Sequence, residues 1–198
     1  MAVLFLVEIA GGKVKKASFE IASYAAKVAN QLGTEAVGLA LGTASADELA
    51  ALGIYGAKKI VHASNVAFDT FDAGATAKAI ADAADKTGAT VIAISQTLTG
   101  KAVAPRVAVR LQAGIVSGAV GLPDADFVIK KGAFSGKAFA YVKITTDKKV
   151  ISVVPNSVGA TKGEGSATVE TLDLAPAASR VTVKEVVRQT GDVAPLPE

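Results

Sequence analysis

Apolar residues in the first 120 positions come in two rhythms. Val3, Leu4, Phe5, Leu6 and Val7 form an unbroken run, as in a strand covered on both faces. Val91, Ile92, Ala93 and Ile94 form a similar run within 90–95, and residues 36–41 and 59–62 read as further strands. Between these runs the spacing is helical. Ile21, Ala25, Val28, Ala29 and Leu32 recur every three or four positions, so residues 18–32 read as a helix stopped by Gly33. Ser45-Ala46-Asp47-Glu48 fits a capping box for a short helix that ends at Gly53. Ala77, Ile80, Ala81 and Ala84 mark a helix over 72–87, closed by Gly88, and a further helix covers 103–111 and ends near Gly114. This alternation predicts a three-layer α/β fold: a mainly parallel sheet, helices on both faces and right-handed crossovers.

The rhythm changes after Gly121. Residues 127–130, 137–145 and 150–154 read as strands joined by short turns, with Asp147-Lys148 as a hairpin turn. An antiparallel hairpin region is therefore expected beside the parallel core. Residues 168–172 and 181–187 are further strand candidates. The polar, Gly-rich stretch 156–166 is expected to be a mobile loop, and 191–198 a linker. The whole is expected to form one domain over 1–190.

Composition narrows the chemistry. With 51% hydrophobic residues, 5% aromatics and 19 glycines in 198 residues, the core must be filled largely by Ala and Val. The absence of cysteine excludes disulfides, thiolate catalysis and Cys-ligated metals. It also suits a reducing compartment, so the expected location is the cytoplasm. A net charge of +3 without a dense basic block argues against nucleic acid as a partner. The opening MAVLFLVEIAGG is too short an apolar run to cross a membrane.

The candidate chemistry is sparse. His62 stands alone, with no partner cluster for catalysis and no second metal ligand. Asp72 is explained as an N-cap. Ser117 lacks a base and an oxyanion partner. Gly11-Gly12 follows the first strand without completing a dinucleotide fingerprint. The junction after residues 90–95 is the best anion-site candidate, because Thr97 or Thr99 can cap the following helix and Gly100-Lys101 stands beside its N-terminus. It is not a Walker A loop. Two readings stay open: Thr99, Gly100 and Lys101 hold a nucleotide phosphate, or Gly100 permits a tight turn and Lys101 is solvated. Arg106 can pair with a carboxylate or reach a partner. Phe134, Phe139 and Tyr141 are candidate partner contacts on the hairpin.

Several blocks carry a family resemblance. They are VLFLVEIAGGKVKKASFEIASYAAKVANQLG at the start, Gly42 in ALGTAS, Gly56-Ala57 before KKIVHAS, TLTGKAVAPRVAVRLQAGIVSG from Thr97, FSGKAFAYV from Phe134 and VISVVPNSV from Val150. In content and order they resemble the N-terminal domain of the electron transfer flavoprotein alpha subunit. The chain departs from that family's usual residues at Ser117-Gly118, Ser135-Gly136-Lys137 and Val154-Pro155. The resemblance implies a heterodimer with a beta subunit. That heterodimer accepts electrons from flavin dehydrogenases and passes them to a quinone oxidoreductase or other acceptor. It also implies that FAD sits mainly in a separate C-terminal domain, toward which 191–198 would lead. No cofactor and no catalytic centre are expected in this chain. Its role would be scaffold and beta-subunit contact, with homodimerisation through the same surface when the beta subunit is missing. The alternative is a stand-alone adenine-nucleotide-binding or sensor domain.

Overall fold

A computed structural model describes residues 2–179 and 181–185. In chain order the main strands are β1 (Ala2–Val7), the short β2 (Ile9–Ala10) and β3 (Lys13–Val14), β4 (Glu35–Leu41), β5 (Lys59–Ala63), β6 (Ala89–Ser95), β7 (Gly114–Ala119), β8 (Val128–Ala133), β9 (Ala138–Lys143), β10 (Lys149–Val153) and β11 (Thr168–Thr171). The helices are α1 (Lys16–Gln31), α2 (Ala46–Ala50), α3 (Ala73–Thr87) and α4 (Leu98–Leu111). Nine strands form one sheet in the order β11-β5-β4-β1-β6-β10-β7-β8-β9, while β2 and β3 pair separately. Every pairing in the large sheet is parallel except those made by β8.

The layers follow from side-chain alternation along β1. Val3, Phe5 and Val7 pack with Ile21, Ala25 and Val28 of α1 on one face. Leu4 and Leu6 pack with Ala77, Ile80, Val103 and Val107 of α3 and α4 on the other. The expected α/β architecture is thus present. Asp72 caps α3 through Ala75 N–H, and Gly88 ends it with a φ of 65°.

Two expectations need correction, and one strand was not expected. Asp147-Lys148 is not the turn of a hairpin between neighbouring strands. β9 pairs with β8, and β10 inserts between β6 and β7. Burial decides this: Val150, Ile151 and Val153 are at most 2% exposed, which only a central strand with both faces covered allows. β9, by contrast, alternates half-buried and exposed residues, as an edge strand does. Residues 114–119 form the unexpected strand, β7, although Gly114 and Gly118 break their apolar run. Second, residues 156–166 are tied down rather than loose. The buried Glu20 carboxylate accepts hydrogen bonds from Asn156, Val158 and Gly159 N–H at 2.6, 2.9 and 3.0 Å. Ser23 and Thr161 exchange two more bonds, and Gly163 N–H reaches the Ile54 carbonyl. This strap carries the chain across α1 to β11 at the far edge. Of the 181–187 strand candidate, residues 181–185 are irregular and the rest lies outside the described residues, as does the 191–198 linker.

One core group predicts an alkaline limit. Tyr24 is fully buried and donates to the Gly121 carbonyl at 3.2 Å. Burial pushes its phenol well above the ordinary tyrosine value of 10.0. The unfolded chain ionises there and the folded one does not. The stability this group contributes is therefore complete below that pH and declines as pH rises past it. The wild type should lose up to about 1.4 kcal/mol per pH unit beyond Tyr24→Phe in that range. Parallel denaturant titrations of the two proteins at about pH 10 and pH 11 measure the difference.

Candidate functional site

In an open α/β sheet, ligands collect where the strand order reverses, outside the carboxyl ends of the strands. Here that place is the junction of β1 and β6. Glu8 follows β1 and is only 6% exposed. Thr97 follows β6 and caps α4, accepting from Gly100 N–H at 3.1 Å. The Thr97 hydroxyl donates to Glu8 Oε1 at 2.6 Å, and Lys15 Nζ lies 3.4 Å from Glu8 Oε2. Ser18 holds the Glu8 backbone, accepting from its N–H at 2.8 Å. The positive end of α4 is therefore already faced by a carboxylate of the chain itself. A phosphate arriving here would meet that negative charge at close range.

The individual candidates separate. Thr99 lines a small cleft with Glu8 and Lys15. Gly100 lies inside the first turn of α4, where an added Cβ would overlap the Ser95 carbonyl oxygen. Its small size is a packing requirement between α4 and β6. Lys101 is exposed, is not among the residues of that cleft, and its N–H bonds to the Thr97 carbonyl. Arg106 is exposed on α4 and donates to the Ala102 carbonyl.

A larger cleft of about 680 Å³ opens beside the junction, lined by Gly11, Gly12, Lys15, Thr43, Asp69 and Phe71 among others. Its polar groups serve one another. Asp69 accepts from Thr43 N–H at 2.6 Å and from the Thr43 hydroxyl at 2.7 Å. His62 Nε2 donates to the Gly42 carbonyl at 2.7 Å, which accounts for the lone histidine structurally. Asp72 is held below the usual carboxylate range by the Ala75 N–H, then by the Ser179 hydroxyl, with Arg106 a smaller influence. Among the described residues there is no group of three or more metal-ligating side chains, and no helix is long and apolar enough to cross a membrane. At the strand-order reversal the Glu8 carboxylate, bonded to Thr97 and paired with Lys15, occupies the place where a dinucleotide's pyrophosphate would need free donors, so these residues are a poor fit for a flavin dinucleotide.

The exposed end of the sheet is different in character. β8 and β9 form a hairpin with Gly132 opposite Phe139 and Lys130 opposite Tyr141. Ile129 and Val142 turn inward to the α1-side core. On the opposite face Phe139 and Tyr141 are 56% and 69% exposed, and Lys130 Nζ sits 3.8 Å above the Phe139 ring. Phe134 is 81% exposed in the connection, where Phe134, Ser135 and Gly136 all have positive φ. The structure thus gathers Phe139 and Tyr141 on one surface, with Phe134 at its tip and Arg106 apart on α4. Sequence reading passed over Glu8 and Glu20, the two buried carboxylates among the described residues. Each left a mark: Glu8 interrupts an apolar run, and Glu20 shares a four-residue spacing with Tyr24 and Val28.

Comparison with known proteins gives consistent results. A family model described as "Electron transfer flavoprotein domain" matches residues 3–177. The electron transfer flavoprotein subunit alpha of Bacillus subtilis is 27% identical over 201 residues, covering 99% of this chain and 61% of that protein. The subunit of the same name from Clostridium acetobutylicum is 24% identical, covering 94% of this chain and 59% of its own length. The acryloyl-CoA reductase electron transfer subunit beta of Anaerotignum propionicum is 31% identical over 106 residues, which is 54% of this chain and 29% of that subunit. The chain spans about three fifths of the length of the alpha subunits it matches.

Proposed function

This chain belongs to the electron transfer flavoprotein domain family, and from that premise we propose that it is the scaffold and subunit-contact domain of an alpha-type electron carrier. Its partner in this reading is a beta-type subunit, and the assembled pair relays electrons from flavin dehydrogenases to a quinone oxidoreductase or another acceptor. The chain contributes position rather than bond-making chemistry, and residues 1–190 act as one domain.

The observation that carries this reading is the β8–β9 edge. Its outward face presents Phe139 and Tyr141 with a lysine beside them, and no element among the described residues covers it. Aromatic side chains on such a surface are efficient interface anchors, since they bury large areas at small entropic cost. An uncovered edge strand also offers main-chain groups to a partner. In isolation the same surface would favour homodimers.

The test is Phe139→Ser combined with Tyr141→Glu. Both side chains are exposed, so circular dichroism should be unchanged while co-purification with a beta-type subunit falls by at least about tenfold. Unchanged capture by the folded variant would remove the hairpin from the interface. The nucleotide-sensor alternative draws no support from the strand-order reversal, where Glu8 confronts any phosphate. Calorimetry with AMP should give no saturable heat in the micromolar range, and saturable heat lost in Lys101→Glu would favour the sensor.

A further inference from the structure

Helix α4 has two apolar sides. Gly100, Val103, Ala104, Val107, Ala108 and Leu111 are buried against the sheet and α3. At about 100° per residue, Leu98, Ala102, Pro105 and Val109 fall within a sector of about 60° on the opposite side. Leu98 is 74% exposed and Val109 79%; Pro105 is exposed and Ala102 half-buried. This outer stripe runs for three turns, about 16 Å. Lys101 borders it on one side and Arg106 and Arg110 on the other, all three exposed. The helix contains no carboxylate. None of these cations is within ion-pair distance of a carboxylate among the described residues, although Asp72 lies near enough to feel the charge of Arg106. A helix that is apolar on opposite sides has the composition of a buried one.

We propose that the outer stripe of α4 is a docking ridge for an acidic amphipathic helix from a partner protein. Leu98, Ala102, Pro105 and Val109 would meet its apolar side, and Lys101, Arg106 and Arg110 its carboxylates. The charges select this occupant. Covering the stripe removes water from three cations, which is costly unless the covering surface supplies opposite charge. A second copy would bring three more cations to the same ridge and be repelled. The ridge is distinct from the β8–β9 edge, so the two surfaces are tested separately.

The probes are two stapled helical peptides of about 18 residues, each with leucines on one face. One is flanked by glutamates and the other by lysines. Fluorescence anisotropy with the full 198-residue chain should show the glutamate peptide binding at least about tenfold tighter, with affinity falling as salt rises. Leu98→Ser with Val109→Ser should weaken that binding by about tenfold with the circular dichroism spectrum retained. Lys101→Glu with Arg106→Glu should reverse the preference between peptides. Absent or equal binding of the two peptides would overturn the proposal, as would indifference to either pair of substitutions. Self-association abolished by Leu98→Ser with Val109→Ser would assign the ridge to a second copy. Capture by anionic vesicles without peptide binding would assign it to a lipid surface.

Discussion

Gly100→Ala should be among the most damaging single substitutions in this protein. The glycine lies inside the first turn of α4, and a methyl group there would overlap the carbonyl oxygen of Ser95. That oxygen belongs to the end of β6 and cannot rotate away as a side chain could. Relief requires α4 to lift from the sheet, which separates Val103 and Val107 from Ile92 and Ile94 in one core. The expected loss is about 3 kcal/mol, lowering the melting temperature by roughly 6–12 °C in a domain of this size. Lys101→Ala next to it should stay within about 0.5 kcal/mol, because its side chain is exposed. Thermal denaturation of both variants reads the contrast. Comparable losses would show that the first turn of α4 is not packed as described.

Glu20→Ala should be comparably costly by another route. Its carboxylate is the acceptor for three backbone N–H groups of the strap that leads to β11. Removing it leaves three part-buried donors without their partner, at a cost of about 3–5 kcal/mol after water replaces some bonds. Glu20→Gln should be milder. An amide oxygen at the Oε1 position retains the bonds to Val158 and Gly159 and loses only that to Asn156. Urea titration should rank the proteins wild type, Gln, Ala. Amide exchange at residues 156–163 should accelerate in the same order. Exchange in that segment as slow in Glu20→Ala as in the wild type would place the anchor elsewhere, in the Ser23–Thr161 pair.

Most of the parallel core was legible because a doubly covered strand writes itself as an unbroken apolar run. β1, β4 and β6 do so over most of their length, while β5 keeps only the pair Ile60-Val61 between Lys59 and His62. The helices between them were legible through their periodicity and their end signals, Ser45, Asp72 and Gly88. The errors share one cause, which is long-range order. Residues 150–153, Val-Ile-Ser-Val, are nearly as apolar as β1, yet nearness in sequence to β9 suggested a hairpin. The pattern itself pointed to the centre of the sheet, and burial of Val150 and Ile151 outweighs the convenience of a short turn. β7 was hidden by Gly114 and Gly118. The strap over α1 was hidden because its anchor, Glu20, lies over a hundred residues earlier. Composition alone made the strap look loose, since glycine and serine describe flexibility only until a partner fixes them.

The candidate surfaces were legible in part. Phe139 and Tyr141 were legible as aromatic partner contacts on a strand, and their alternation with Ala138, Ala140 and Val142 puts them on one face. Glu8 could not be assigned from sequence, because its role comes from Thr97 and Lys15 meeting it at the β1–β6 junction.

The most direct test of subunit contact is hydrogen exchange of the intact chain with and without a beta-type subunit. Amides of residues 128–143 should slow in the complex, while those of α1 and the strap keep their rates. Failure to form a complex, or protection that spares the β8–β9 hairpin and appears on the α1 face, would contradict the account.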